Sequence, residues 1–139
     1  MNWNELSQQY SAGERNFSGL DLSGAKLSRT NLAQVDLSET NLSRASLSGA
    51  DLSRANLSGA KLNGADLCDT NLSEADLTNA DLGAAILLRA NLSGAKLNGA
   101  NLKWAALTSA FPHDVDLSHA IVSRTILPNG YPSNDLFNE

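Results

Sequence analysis

The only compact group of metal-ligand side chains in the sequence is His113, Asp114, Asp116 and His119. Imidazole nitrogens and carboxylate oxygens bind zinc, but a site forms only where at least three of them converge on one point. The spacing of these residues imposes no such convergence. We therefore predict that they are surface groups and that the protein uses no metal and no cofactor.

Acid-base catalysis has equally little support. Acidic pairs such as Glu74 and Asp76 could act as general acid and base only in a concave, desolvated pocket that shifts a carboxylate pKa. The sequence contains no phosphate-binding glycine loop, no nucleophile elbow and no zinc-ligand spacing. Cys68 is the single cysteine, which excludes a disulfide framework within one chain. These observations favour a non-enzymatic protein.

The elements that position these side chains repeat with a period of five. A large apolar residue occupies every fifth position from Phe17 to Leu107, and from Ala25 onward the residue two positions before it is mostly Ala or Thr. Five residues advance about 500° on a helix, and an odd step on a straight strand alternates faces. Only a chain that turns by a constant angle at each repeat directs both positions to one axis. We therefore predict a solenoid whose interior is filled by its own side chains, with no pocket for catalysis.

Two stretches carry a resemblance to a known family. Residues 50–54, Ala-Asp-Leu-Ser-Arg, and residues 75–79, Ala-Asp-Leu-Thr-Asn, resemble the pentapeptide-repeat family, whose motif is Ala, Asp or Asn, Leu, and two variable residues. The resemblance covers roughly residues 15–128. It implies an all-β fold, a right-handed quadrilateral parallel β-helix with four pentapeptides to a coil. The number four is implied by the family and not by the sequence. The longest internal copy, residues 57–65 and 92–100, repeats after thirty-five residues, which is not a whole number of four-pentapeptide coils.

The ends of an open stack need caps, since they expose backbone groups and core side chains. Asn2 and Glu5 form a capping-box pattern, and Trp3, Leu6 and Tyr10 share one face of a helix. We predict three parts: a helical cap over residues 1–14, about six coils of β-helix over 15–128, and a C-terminal tail over 129–139.

One side of the predicted stack becomes apolar toward its C-terminus. Residues twenty apart would stack as Lys26, Ser46, Asp66, Ile86, Ala106 and Ile126. We predict an interaction surface formed by outward apolar residues there and on nearby corners and faces: Ile86, Leu88, Trp104, Ala106, Phe111, Ile121 and Ile126. Two interpretations stay open. Either the tail, with Tyr131, Leu136 and Phe137, folds back over this surface, or the surface binds a protein partner or a second copy of the chain.

Charge and hydropathy limit the partners. The net charge is −5 and no basic cluster is interleaved with aromatic residues, which argues against direct binding of nucleic acid. Some family members resemble duplex DNA and inhibit type II topoisomerases, so a DNA mimic is the alternative function, although mixed charge is more typical of an ordinary soluble surface. No apolar stretch is long enough for a signal peptide or a membrane span. We therefore predict a cytoplasmic protein-interaction module that does not bind membranes.

Overall fold

The computed structural model describes residues 1–133. Tyr131 is among them and is 71% exposed. Leu136 and Phe137, the other apolar residues of the predicted tail, lie outside the described residues. Within residues 1–133, no helix is both long and apolar enough to cross a membrane.

The predicted N-terminal cap is a helix, α1, which spans Trp3–Ser11. The Glu5 N–H donates to Asn2 Oδ1 at 2.9 Å, and the Asn2 amide donates to Glu5 Oε1 at 3.3 Å, so the capping residues act as predicted. Leu6 is buried, and the Tyr10 hydroxyl donates to the Ala33 carbonyl at 2.8 Å. Trp3 does not share this packing, because 43% of it is exposed.

Parallel β-bridges join each coil to the next and fix its length at twenty residues, from Asn16 with Asp36 to Ala106 with Ile126. This confirms the right-handed quadrilateral β-helix with four pentapeptides per coil. Each parallel bridge is isolated, so residues 1–133 contain no longer strand. The bridges define four faces: face 1 (16, 36, 56, 76, 96), face 2 (21, 41, 61, 81, 101, 121), face 3 (26, 46, 66, 86, 106, 126) and face 4 (31, 51, 71, 91, 111).

A turn at each corner produces the five-residue period. The Leu22 N–H donates to the Asn41 carbonyl of the next coil at 2.7 Å, and the Ala25 N–H closes the turn on the Leu22 carbonyl at 3.0 Å. Gly24, between them, has a φ of 67°, as a type II turn requires. The leucine and the small residue therefore both face the axis.

The core is the column of these inward side chains. The inward leucines at every fifth position from Leu22 to Leu107 are buried, with Phe17 at the bottom of the column. Where Thr takes the small slot, its hydroxyl is satisfied: Thr40 donates to the Leu37 carbonyl at 2.6 Å and Thr70 to the Leu47 carbonyl at 2.8 Å. Every side-chain polar atom that is buried among residues 1–133 has a partner. The predicted solid interior is thus observed.

The regular ladder stops near Pro112, which follows a cis peptide bond and takes a leucine slot. Within residues 1–133, Lys96 has no bridge to Asp116, and the Gly99 N–H donates to His119 at 2.8 Å, one residue beyond the regular position. Val115 and Leu117, which are core positions by spacing, are only half-buried. The last coil therefore leaves part of its interior open.

Beyond the last coil the chain reverses at Asn129-Gly130. Ile126 pairs with Pro132 in an antiparallel bridge, the Leu127 N–H donates to the Tyr131 carbonyl at 2.8 Å, and the Ser133 N–H donates to the Thr125 carbonyl at 2.7 Å. Residues 131–133 thus cover the edge of face 3, where another coil would otherwise pair.

Candidate interaction surface

The outward slot before each leucine has a structural role when it holds Asp or Asn. Asp66 Oδ1 accepts the N–H of Cys68 at 3.0 Å, and Asp51 Oδ1 accepts that of Ser53 at 3.0 Å. These side chains stabilise the turn by accepting a backbone N–H two residues ahead. Ile86, in the same slot, has no acceptor to offer the N–H of Leu88.

Three apolar residues replace the polar slot on consecutive coils of face 3. Bridges connect Asp66 to Ile86, Ile86 to Ala106, and Ala106 to Ile126. Ile86 is 41% exposed, while Ala106, Ile126 and the neighbouring Leu88 are half-buried. We call these four residues, 86, 88, 106 and 126, the apolar stripe. The structure therefore brings together four of the seven residues of the predicted interaction surface.

The other three lie on different faces or corners. Trp104 stands at the corner after face 2 and is 62% exposed, Ile121 lies on face 2, and Phe111 lies on face 4. Trp104 has a φ of 65°, a left-handed conformation that is uncommon for a bulky residue. The Arg124 guanidinium lies 5.0 Å from the centre of the Trp104 ring. These three residues of the predicted surface therefore lie outside the apolar stripe.

Trp104 and Ile121 belong to a second feature, which we call the end groove. It is an open depression of about 980 Å³ at the C-terminal end of the stack, lined by Lys103, Trp104, Leu117, Ser118, Ala120, Ile121, Val122, Ser123 and Arg124. Its floor includes half-buried inward residues of the last coil. Within residues 1–133, no further coil covers these positions.

One ion pair between stacked corners flanks the stripe, and a second lies on a corner away from it. Arg89 donates twice to the Asp69 carboxylate, at 2.8 and 3.0 Å, and these hydrogen bonds lower the pKa of Asp69. On another corner, Arg54 donates to Glu74 at 2.8 Å. Because each of these carboxylates is paired with an arginine one coil away, neither pair contributes to a continuous negative surface.

Cys68 follows Asp66 on face 3 and is half-buried. Burial, and then the neighbouring Asp66, raise the pKa of its thiol. A raised pKa keeps the thiol protonated, which is the less nucleophilic form. This geometry gives Cys68 no activated character.

The predicted group of titratable residues lies on the irregular segment after Pro112. His113, Asp114, Asp116 and His119 are exposed. Asp116 accepts the Ser118 N–H at 2.9 Å, and hydrogen bonds from Ser118 lower the pKa of Asp116. Within residues 1–133, no three His, Cys, Asp or Glu side chains are grouped so as to hold a metal ion.

The end groove was not predicted from the sequence. Its lining residues belong to two successive coils, and it forms where the β-bridges between coils are interrupted after Pro112. A signal was nevertheless present: Leu117 and Val122 keep the five-residue spacing in the last coil, with no further coil of repeats above them. Half-buried core residues at that end were therefore predictable, while their arrangement around Trp104 was not.

Comparison with known proteins adds the family. A model described as pentapeptide repeats matches with eight copies, over residues 16–54, 50–87, 75–111 and 85–124. No protein with curated annotation matches the sequence.

Several solved structures are similar. A pentapeptide repeat protein from the cyanobacterium Cyanothece 51142 is 32% identical, with 88% of this chain and 92% of that chain covered and a TM-score of 0.72. One from the Arabidopsis thaliana thylakoid lumen is 32% identical, with coverages of 77% and 72% and a TM-score of 0.55. One from Nostoc Pcc 7120 is 38% identical, with coverages of 88% and 96% and a TM-score of 0.48.

Proposed function

The chain belongs to the pentapeptide-repeat family, and we propose that it is a non-enzymatic module that binds a protein partner through its apolar stripe. The observation that carries this proposal is the change along face 3 from Lys26, Ser46 and Asp66 to Ile86, Ala106 and Ile126. Contiguous exposed apolar residues on a small protein mark contact surfaces.

Ile86 supports the proposal because its slot has a better residue for stability. Asp66, one coil below, accepts the N–H of Cys68 at 3.0 Å, whereas Ile86 leaves the equivalent N–H of Leu88 without that acceptor and is itself 41% exposed. An intramolecular hydrogen bond contributes roughly 0.5–1.5 kcal/mol. Isoleucine at this position is better explained by a contact it makes with a partner than by the turn.

The stripe is the centre of such an interface and not the whole of it. Adjacent coils are about 4.8 Å apart, so Ile86, Ala106 and Ile126 span on the order of 10 Å. A specific interface buries about 800 Å² on each partner, with an apolar centre and a polar rim. The Asp69–Arg89 pair is suited to that rim. A rigid preformed surface binds with little loss of conformational entropy.

The test replaces Ile86 by Asn, which gives the Leu88 N–H an acceptor while removing the apolar contact. We expect Ile86→Asn to keep or raise the midpoint of denaturant unfolding and to weaken partner binding at least tenfold. Binding is measured by quantitative pull-down from the native lysate, followed by titration of the captured protein. Ser46→Asn, on the same face, is the matched control and should bind normally.

A second copy of the chain is the other partner that this stripe admits, and sedimentation of the purified protein distinguishes the two. A dimer that Ile86→Asn converts to a monomer would identify the partner as a second copy. A monomeric protein that captures nothing, or that binds equally well with Ile86→Asn, would contradict the proposal.

The DNA-mimic alternative gains no specific support, since two corner carboxylates, Glu74 and Asp69, are paired with Arg54 and Arg89. A cytoplasmic location stays a prediction. The Arabidopsis relative comes from the thylakoid lumen, so membership of the family does not determine the compartment.

A further inference from the structure

The N-terminal half of face 3 is positively charged. Lys26 lies on this face in the first coil, Arg29 at the corner after it, and Arg44 at the corner before it in the second coil. In these two coils the face and its two corners contain no Asp or Glu. All three cationic residues are exposed, and within residues 1–133 none of them forms an ion pair. We call these three residues the basic patch.

Both arginines of the basic patch extend along the axis toward the apolar stripe. A Cβ atom added at Gly49 would lie 3.0 Å from Arg29 Cγ, and one added at Gly64 would lie 3.2 Å from Arg44 Cγ. Each arginine therefore lies over the glycine corner of the next coil. Since Lys26 lies on the face between the two corners, the three cations form one local cluster.

We propose that the protein partner of face 3 contacts it through a segment with acidic side chains at one end and large apolar side chains at the other. The acidic end binds the basic patch, and the apolar end binds the apolar stripe. Complementary charge then fixes the direction in which the segment lies along the face. This inference rests on the proposed function, because it names the chemistry of the partner that the stripe binds.

The basic patch and the apolar stripe are close enough for one short segment to reach both. β-Bridges place Lys26, Ser46, Asp66 and Ile86 on successive coils of face 3. At about 4.8 Å per coil, Lys26 and Ile86 are on the order of 14 Å apart, and the face from Lys26 to Ile126 is on the order of 24 Å long. An extended segment of about seven residues covers that length at about 3.3 Å per residue.

The third coil separates the two halves of the face and carries two carboxylates. Asp66 Oδ1 accepts the Cys68 N–H at 3.0 Å, and Asp69 accepts two hydrogen bonds from Arg89. Both carboxylates are therefore engaged by the chain itself. Because like charges placed against each other disfavour binding, Asp66 keeps the acidic end of the segment away from the third coil and on the basic patch.

Two other anionic partners fit this face less well. Single-stranded nucleic acid binds basic grooves that also offer aromatic side chains for stacking, and the basic patch contains no aromatic residue. Membrane-surface binding requires apolar side chains that enter the bilayer by about 5–10 Å, whereas Leu88, Ala106 and Ile126 are half-buried. A protein segment uses both the charge and the shallow apolar surface.

Selection from a phage-displayed library of random peptides tests the proposal on the immobilised full-length protein. Peptides of about twelve residues are long enough to span the face. We expect the enriched peptides to carry Asp or Glu toward one end and Leu, Ile, Phe or Trp toward the other. Enrichment of no peptide, or of peptides without acidic residues, would overturn the proposal. Tighter binding of a DNA duplex or of phosphatidylserine-rich vesicles than of any enriched peptide would also overturn it.

Lys26→Gln combined with Arg44→Gln measures the contribution of the basic patch. We expect this double variant to keep its unfolding midpoint and to bind an enriched peptide about five- to tenfold more weakly at low salt. The difference should disappear at about 1 M salt, where the Debye length is only about 3 Å. Lys96→Gln combined with Arg54→Gln removes the same charge away from face 3 and should bind the peptide normally.

Ile86→Asn separates this inference from the proposed function. The inference stands when Ile86→Asn and the Lys26→Gln, Arg44→Gln variant both weaken the same peptide. A peptide that Ile86→Asn releases but the double variant retains would overturn this inference and leave the proposed function standing. The reverse result would also overturn the inference, because the segment would not reach the stripe, and the pull-down would then decide the proposed function alone. Ser46→Asn changes no charge and stays a valid control.

Discussion

At the scale of single residues, each pentapeptide from Phe17 to Leu107 depends on one position in the left-handed region of backbone space. Glycine adopts this conformation freely, whereas other residues pay an energetic penalty of roughly 1–2 kcal/mol. Arg54, Glu74 and Trp104 nevertheless occupy it, with φ values of 58°, 57° and 65°. The Glu74 side chain reaches across the next coil, where Gly94 leaves room for it.

Gly94 and Gly24 separate the cost of this conformation from the cost of crowding. Both have positive φ, but an added Cβ at Gly94 would lie 3.1 Å from Glu74 Cγ, while Gly24 has open space. Arg54 holds Glu74 by a 2.8 Å hydrogen bond, which limits its retreat. We expect Gly24→Ala to lower the unfolding free energy by about 1 kcal/mol and Gly94→Ala to lower it by roughly 2 kcal/mol.

Guanidinium denaturation measures both losses, and Glu74→Ala is the diagnostic background. With the glutamate removed, Gly94→Ala should cost no more than Gly24→Ala. An excess loss that persists without Glu74 would show that crowding by this side chain is not the cause.

At the scale of elements, α1 is the N-terminal counterpart of the C-terminal reversal. It covers the first coil through buried Leu6 and through the hydrogen bond from Tyr10 to Ala33. The helix has only nine residues, too few to be stable alone. Its stability therefore comes from the coil that it covers, and that coil in turn depends on the helix.

Leu6→Ala tests this mutual dependence. Truncating a buried leucine costs roughly 2–5 kcal/mol, and in a solenoid the loss should be concentrated at the adjacent coil. We expect faster hydrogen exchange at the Phe17 and Leu22 amides, with little change at Leu62. Gln9→Ala, at an exposed position of the same helix, is the control. Unchanged exchange in the first coil would show that α1 does not protect it.

At the scale of the whole molecule, stability should vary along the stack. Leu62 lies in a central coil, which is covered on both sides, and is fully buried. Leu117 lies in the last coil and is only half-buried. Repeat proteins gain stability from each unit and from its contacts with neighbouring units. The same leucine therefore contributes less at the end, where one neighbour is missing.

Leu62→Ala and Leu117→Ala make this comparison with the same chemical change. We expect a loss of about 3–5 kcal/mol for Leu62→Ala and about 1–2 kcal/mol for Leu117→Ala, because the second truncation leaves a smaller cavity. Both are measured by equilibrium denaturation. Equal losses would mean that the open end is as tightly packed as the centre.

Sequence and structure agree most closely in the repeat, for a physical reason. Inward positions are set by a backbone turn that recurs every five residues, so Leu37, Leu62 and Ala80 could be assigned to the core from spacing alone. The cap helix was predictable too, because Asn2 and Glu5 interact within one turn. Trp3 was not, since its exposure depends on how α1 lies across the first coil.

The candidate site, too, was predictable from the sequence only in part. The sequence by itself determined the column of leucines and the outward slots, because these follow from a local period. Only the tertiary structure decided that twenty residues make a coil, that Phe111 leaves the stripe while Leu88 joins it, and that Trp104 and Ile121 border a groove. Those relations are set by contacts between coils, whose stacking depends on the accumulated angle of every turn between them.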